Sequence, residues 1–247
     1  MNTEEYIKLN DLEKNHWFYK GKRELVRLWI GKFKVATEDP VLLDVGAGTG
    51  YFVEHMKSSC RAYGVEPNPT AIECARQSNS HHSLIVGSIN PLPIAHESID
   101  IVTSLDVLEH IQDDRRAMQE LIRVTKENGI IVITVPACSW AMSDWDTALG
   151  HYRRYDLKDL QLLLEKQPVE ILEKRYFNNL LFWPIVFYRS IRKKLNLAKS
   201  GRLEDVLLPN FINQFFYYSL LKPALWPNVR FPFGLSILLI LKKTRPA

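Results

Sequence analysis

The chain has 247 residues, 46% of them hydrophobic and 24% charged, and a formal net charge of +4. That length and composition belong to a folded protein with a sizeable core and exclude long disorder. So mild a charge gives no expectation of nucleic acid, whose binders carry a clustered basic face. Cys60, Cys74 and Cys138 are odd in number and widely spaced. They match neither a disulfide framework nor a metal motif, so a reducing compartment and no metal are expected. Met1 to Tyr6 is acidic and polar, unlike a signal peptide. No apolar run approaches the roughly 20 residues needed to span a bilayer. The expected location is cytoplasmic, with contact at a membrane surface left open.

In chain order, residues 3–33 read as one or two helices. Leu25, Leu28 and Trp29 share a face, and Gly31 marks an end. Within them, His16-Trp-Phe-Tyr19-Lys-Gly-Lys-Arg23 either closes over a ligand or docks its rings on a sheet. Val41 to Val45 reads as a buried parallel strand. A glycine turn follows, then a helix from about Thr49. Ala62 to Glu66 is a second strand, Ala71 to Gln77 a helix, Leu84 to Val86 a third strand and Ile99 to Thr103 a fourth. A helix is expected from about Asp114 to Lys126, ended by Gly129. The strand Ile130 to Val135 follows, terminated by Pro136. Cys138 to Arg154 reads as a loop, and Asp156 as the cap of a helix to about Lys166. Val169 to Phe177 is a sixth strand. Aromatic clusters broken by prolines fill 178–229, and Gly234 to Lys242 closes the chain as a strand. Strands alternating with helices predict an α/β fold with a mostly parallel sheet.

The chemistry is carried by features at the ends of consecutive strands. Asp44-Val-Gly46-Ala47-Gly48-Thr-Gly50 is a turn whose glycines let the backbone approach a ligand. Glu66 stands 22 residues after Asp44. That is near the offset at which an acid meets ribose hydroxyls in nucleotide-binding α/β folds. Ser88-Ile89 ends the third strand and Leu105-Asp106 follows the fourth. Alone, Glu66 reads as a solvated turn residue and Asp106 as an N-cap; together they point to a site. A dinucleotide turn wants a third glycine where this chain has Tyr51, and there is no P-loop lysine. A ligand without a pyrophosphate is therefore favoured.

The run Val41-Leu-Leu-Asp-Val-Gly-Ala-Gly-Thr-Gly50 resembles motif I of the class I S-adenosylmethionine-dependent methyltransferases. The resemblance continues through Gly64-Val-Glu66-Pro67, Asp106-Val-Leu-Glu-His110-Ile, Asn128 to Pro136 and Gly234 to Leu239. His16-Trp-Phe18 and Gly150-His-Tyr-Arg-Arg-Tyr155 are similar to a subgroup of ubiquinone-biosynthesis-like and glycan-cluster methyltransferases. The resemblance implies a Rossmann-like seven-stranded sheet with a reversed last strand. The chain itself reads as a single domain with an N-terminal helical cap (1–40), the core (41–177), an aromatic and basic helical insert (178–229) and a closing strand with its tail (230–247), and the resemblance covers about 15–177 and 230–243. It implies S-adenosyl-L-methionine as cofactor. Asp44, Gly46, Ala47, Gly48 and Gly50 would hold the methionine moiety, Glu66 with Pro67 the ribose, and Ser88 and Ile89 the adenine. Leu105 and Asp106 would meet the amino group, and Tyr19 of the cap would close on the cofactor. Many relatives carry Asp where this chain has Ser88, which weakens the adenine contact.

Methyl transfer to an oxygen needs a base for the acceptor's proton. His151 and His110 are the candidates, each with a structural alternative. Arg153 and Arg154 would clamp a phosphate or carboxylate of the acceptor, or pair with Asp144, Asp146 or Asp156. Trp145 would wall the acceptor pocket, or pack. The insert, with Leu180 to Tyr188, a following basic run, Phe215 to Tyr218 and Trp226, should hang over the acceptor side. It reads equally as a peripheral membrane contact for a lipid-linked acceptor, a lid, or a homodimer interface. The competing functions are a non-catalytic nucleoside-binding module and an NAD-linked oxidoreductase.

Overall fold

The computed structural model describes residues 10–33, 35, 37–77, 83–194, 208–226 and 229–245. Residues 1–9 of the expected cap and 195–207 of the expected insert lie outside them. The elements are α1 (Trp17–Ile30), β1 (Val41–Val45), α2 (Tyr51–Met56), β2 (Arg61–Glu66), α3 (Pro69–Gln77), β3 (Leu84–Val86) and β4 (Ile99–Leu105). There follow α4 (Asp114–Val124), β5 (Thr125–Pro136), α5 (Asp144–Ala148), α6 (Leu157–Leu164), β6 (Val169–Phe177), α7 (Phe182–Lys194), α8 (Asn210–Leu225) and β7 (Ser236–Lys243).

The seven strands form one sheet in the order β3-β2-β1-β4-β5-β7-β6. All neighbours are parallel except β7, which runs antiparallel to both β5 and β6. The expected seven-stranded sheet with a reversed last strand is present. From β1 the chain winds one way to β2 and β3, then crosses to β4 on the other side. This reversal opens a crevice at the carboxyl ends of β1 and β4, where open α/β sheets place their ligands. Register sets Asp44 between Gly64 of β2 and Thr103 of β4.

Both faces of the sheet are covered, so the central strands are apolar almost throughout. One apolar cluster joins Leu43, Val45, Val102, Ile131 and Ile133 to Met118 and Leu121 of α4 and Leu160 of α6. The other joins Leu42, Ile101, Val132 and Leu238 to Leu25 and Trp29 of α1, Phe52 of α2 and Leu220 of α8. Helix starts follow local chemistry. The Asp113 carboxylate accepts from the Arg116 amide at 3.0 Å, and Asp156 and Asp159 form a capping box at α6.

Three expectations are corrected. The helix before β5 ends at Val124, not at about Lys126, and Gly129 is not its stop. Thr125 is already extended, its hydroxyl donates to the Leu121 carbonyl at 2.6 Å, and β5 begins there. Gly129 serves instead as a close approach, since a Cβ there would meet the Asp100 carbonyl at 2.9 Å. The 138–154 loop contains a turn of 3-10 helix at Ser139–Ala141 and the short α5. Helix α8 of the insert is not suspended over the crevice; it packs beside α1 on the sheet. Trp17 donates its amide to Asn213 at 2.8 Å, and Trp29 and Arg175 donate to the Ala224 carbonyl at 3.2 and 2.8 Å.

Candidate active site

The turn after β1 is built by left-handed backbone at Gly46 (φ 79°), Gly48 (56°) and Gly50 (77°). Gly46 is the position that most requires glycine. A Cβ there would stand 2.4 Å from Val107 Cγ2, in the segment leaving β4. The turn and the end of β4 are therefore in direct contact. Gly46 and Ala47 both donate their amides to the Val65 carbonyl, at 2.8 and 3.1 Å, which pins the turn to β2. Ala47 is buried.

Three carboxyl groups surround this turn. Asp44 is 3% exposed and accepts from the Thr103 hydroxyl at 2.6 Å. Burial pushes its pKa up to about 7, a rise that the Thr103 hydrogen bond only partly opposes. Glu66 accepts from the Gly48 amide at 2.9 Å and the Asn68 amide at 3.0 Å, and burial raises its pKa too. Glu13 reaches in from the helical residues 10–15 and accepts from the Thr49 hydroxyl; burial raises its pKa as well. Desolvated acids in this number favour a ligand that brings positive charge and hydroxyl donors. S-adenosylmethionine brings an ammonium, a sulfonium and two ribose hydroxyls. A pyrophosphate would be repelled.

The cap supplies the balancing cation. Lys22 of α1 is buried, and its Nζ lies 2.7 Å from Asp106 Oδ2 and 5.4 and 5.6 Å from the Phe18 and Tyr19 rings. Asp106 adopts φ 59°, and its other oxygen accepts from the Thr134 hydroxyl at 2.9 Å. Burial opposes ionisation of Asp106, but Lys22 and Thr134 hold its pKa below the ordinary value. Tyr19 thus belongs to the cluster expected to close on the ligand. Leu105 ends β4 directly before Asp106.

At the adenine end the expected residues diverge. Ser88 is exposed, and its hydroxyl accepts from the Asn90 amide at 3.2 Å. Ile89 is 5% exposed and packs in the α4-side apolar cluster, so its side chain is core. Pro67 is exposed, and the neighbouring Asn68 accepts from the Thr70 amide at the start of α3.

Beyond β4, the two histidines of the sequence reading meet. The His110 and His151 rings lie edge to face, 4.6 Å between centroids. His151 Nδ1 is 3.2 Å from Asp146 Oδ1. That carboxylate also accepts from Arg154 at 2.7 and 2.8 Å and from the Ser143 amide and hydroxyl at 2.9 and 2.8 Å. Burial alone would raise the Asp146 pKa, yet the His151 and Arg154 hydrogen bonds hold it well below the ordinary range. A fixed carboxylate at Nδ1 selects the tautomer that leaves Nε2 as acceptor. Burial lowers the pKa of His110, and His151 adds to the effect. Glu109 is buried, its pKa pushed well up by burial and then by Asp106, and its Oε2 has no partner among the described residues. Glu109, His110 and His151 each offer a ligand atom within 4.8 Å of the others, so this trio can share a proton or hold a cation.

Of the two readings of the arginine pair, pairing with acids is the one the structure shows. Arg154 is 9% exposed and is committed to Asp146 and the Ala137 carbonyl. Arg153 pairs with Asp114 at 2.7 Å and donates to the Gln112 carbonyl. Both brace the loop, Arg154 from a buried position and Arg153 from a partly exposed one. Trp145 lies in α5, and its side chain is outside the described residues. Sequence reading missed Glu13, Lys22, Thr103 and Glu109. The first three pair with residues far away in the chain, which no local periodicity marks, and Glu109 stands between Asp106 and His110, which were singled out without it. Asp146 was in view only as an arginine partner.

Residues 43–133 match the family model described as a methyltransferase domain. An uncharacterized methyltransferase of Mycolicibacterium gilvum is 32% identical over 128 residues, covering 51% of this chain and 50% of the relative. The chain thus spans about half the length of the curated relatives it matches. Among solved structures, the YcgJ protein of Bacillus subtilis superposes with a TM-score of 0.60 at 17% identity, covering 91% of this chain and 99% of that one. Phosphoethanolamine N-methyltransferase 2 of Haemonchus contortus, solved with S-adenosyl-L-methionine, does so with a TM-score of 0.55 at 17% identity, covering 87% and 51%. These two likenesses show the fold. Joined to the strand order, the glycine turn and the acids around it, the match makes residues 43–133 similar to the methyltransferase domain of the class I S-adenosylmethionine-dependent enzymes.

Proposed function

We propose that the chain transfers a methyl group from S-adenosylmethionine to a nucleophile of a small or lipid-linked acceptor, an oxygen in preference to nitrogen or carbon, with His151 as the base. The observation that carries the reading is the Asp146–His151 pair, set edge to face with His110 just beyond β4. Val107, which packs on the glycine turn, is three residues from His110, so the pair belongs to the same edge of the sheet as the turn.

When bound, S-adenosylmethionine supplies a methyl group already activated by the sulfonium. The protein's tasks are alignment, exclusion of water and removal of one proton. Asp44 and the backbone of Gly46 to Gly50 hold the methionine moiety, and Glu66 holds the ribose. Asp106 is held by Lys22, which ties the cap to the end of β4. Nε2 of His151 takes the acceptor's proton as its oxygen attacks. Nδ1–H stays on Asp146, whose charge stabilises the imidazolium that forms. A screen of methyl-labelled cofactor against lipid extracts, phenols, glycans and carboxylates finds the acceptor. With it in hand, His151→Ala should lower kcat by about 10²–10⁴-fold while affinity for S-adenosylhomocysteine changes by no more than about twofold. Equal loss of both, or loss of neither, removes His151 as the base.

A further inference from the structure

A chain of aromatic rings runs across the surface where the 138–154 loop, α7 and the segment before β7 meet. Trp140 contacts Phe182 (6.3 Å between centroids), Phe182 contacts Trp183 and Phe233 (5.1 Å each), Phe233 contacts Phe231 (6.4 Å), and Phe231 contacts Trp226 (6.5 Å). Phe182 is buried and anchors the row, whereas the three tryptophans are 63%, 63% and 50% exposed. Helix α8, which ends next to Trp226, adds a second exposed stripe of Phe211, Phe215 and Tyr218 at i, i+4 and i+7. Rings held outward by a fixed base are costly to leave in water, and so much contiguous apolar surface marks a docking face.

Charge decides what docks. Residues 178–247 contain eleven lysines and arginines against two acids, Glu204 and Asp205. Residues 1–177 contain twenty-one against twenty-six acids. Lys243 and Arg245, at the far end of β7, are paired with Glu97 and Glu127, but α7, which carries Phe182 and Trp183 of the row, also carries Arg189, Arg192, Lys193 and Lys194 and no acid. Protein interfaces are depleted of lysine at their centres. Tryptophan with lysine and arginine is instead the composition of a membrane interface, where rings sit at headgroup depth and cations meet anionic lipid. No described helix is long and apolar enough to cross a bilayer, so contact through this face is peripheral.

We infer that the face formed by Trp140, Trp183 and Trp226 seats the protein on an anionic phospholipid surface. Trp140 belongs to the loop that carries Asp146 and His151, so docking brings that loop to the lipid and suits an acceptor with an apolar tail. The inference about the surface stands apart from the methyl-transfer reading. Its test is co-sedimentation of the full chain with phosphatidylcholine vesicles, with and without phosphatidylglycerol. Wild type should bind the anionic vesicles, bind neutral ones more weakly, and lose binding as salt rises. Trp183→Ser combined with Trp226→Ser should weaken binding at least roughly tenfold. Circular dichroism and S-adenosylhomocysteine calorimetry should be unchanged, which separates loss of docking from loss of the cofactor site. Wild-type-like binding by a folded double variant would overturn the inference. So would absence of binding to either vesicle; light scattering that then showed a dimer dissociated by the same substitutions would assign the face to a second copy of the chain.

Discussion

At the scale of single residues, Asp44 carries a charge state that the fold has shifted. Its pKa is about 7, against an ordinary 3.8, because burial outweighs the Thr103 hydrogen bond. The folded chain holds a proton there that the unfolded chain has released. The stabilising contribution is complete below the unfolded pKa and is lost as pH rises through about 7. Cofactor binding runs the opposite way, because an ammonium pairs with the carboxylate and not with the acid. Affinity for S-adenosylhomocysteine, measured by calorimetry between mildly acidic and mildly alkaline pH, should therefore rise through neutrality with release of up to one proton. Asp44→Asn should flatten that rise; an unchanged profile would assign it to another group. Asp44 was legible in the sequence as the one acid in an apolar strand before a glycine turn. Thr103, fifty-nine residues on, was not, because only sheet register brings the two together.

At the scale of elements, the site depends on contacts between segments remote in sequence. The glycine turn presses on Val107, so Gly46→Ala adds both a left-handed alanine and a clash with that side chain. A cost of about 2 kcal/mol or more follows, lowering Tm by roughly 5 °C for a domain of this size. Differential scanning calorimetry checks it, and an unchanged Tm would show that the turn can relax. Helix α1 is tied to the end of β4 by Lys22 and Asp106. Lys22→Met leaves the partly buried Asp106 without its cation and should cost about 2–3 kcal/mol. The pair Lys22→Met with Asp106→Asn should regain most of that stability, because no unpaired charge remains. It should not regain cofactor affinity if the ion pair orders the cap over the site. Denaturant titration and calorimetry of the three variants separate these two effects. The aromatic and basic cluster at 16–23 announced that the cap mattered; it did not announce which charge would be paired with which. For the same reason Arg153 and Arg154 looked like an anion clamp. Their partners Asp114 and Asp146 lie on α4 and α5, and only the folded chain shows both arginines already engaged.

At the scale of the whole molecule, the alternation of strands with helices was the most legible feature. The central β-runs are apolar on both faces, and alternation with helices leaves a parallel sheet as the economical arrangement. The helix boundary before β5 was less legible, since Lys-Glu-Asn-Gly at 126–129 is polar enough to read as a helix end. The structure makes those residues an irregularity near the start of the 12-residue β5, between the Ile99–Thr125 and Ile101–Ile130 pairings. The same order of strands that opens the crevice at β1 and β4 also gathers Asp44, Glu66 and the turn at one edge, with the histidine pair just beyond Asp106. The central claim is that this edge is an S-adenosylmethionine site rather than a dinucleotide site. Calorimetry of the full chain with S-adenosylhomocysteine and with NAD tests it most directly. One-to-one binding of S-adenosylhomocysteine, lost in Asp44→Asn with Glu66→Gln, and no binding of NAD are expected; binding of NAD, or of neither ligand, would rule such a site out.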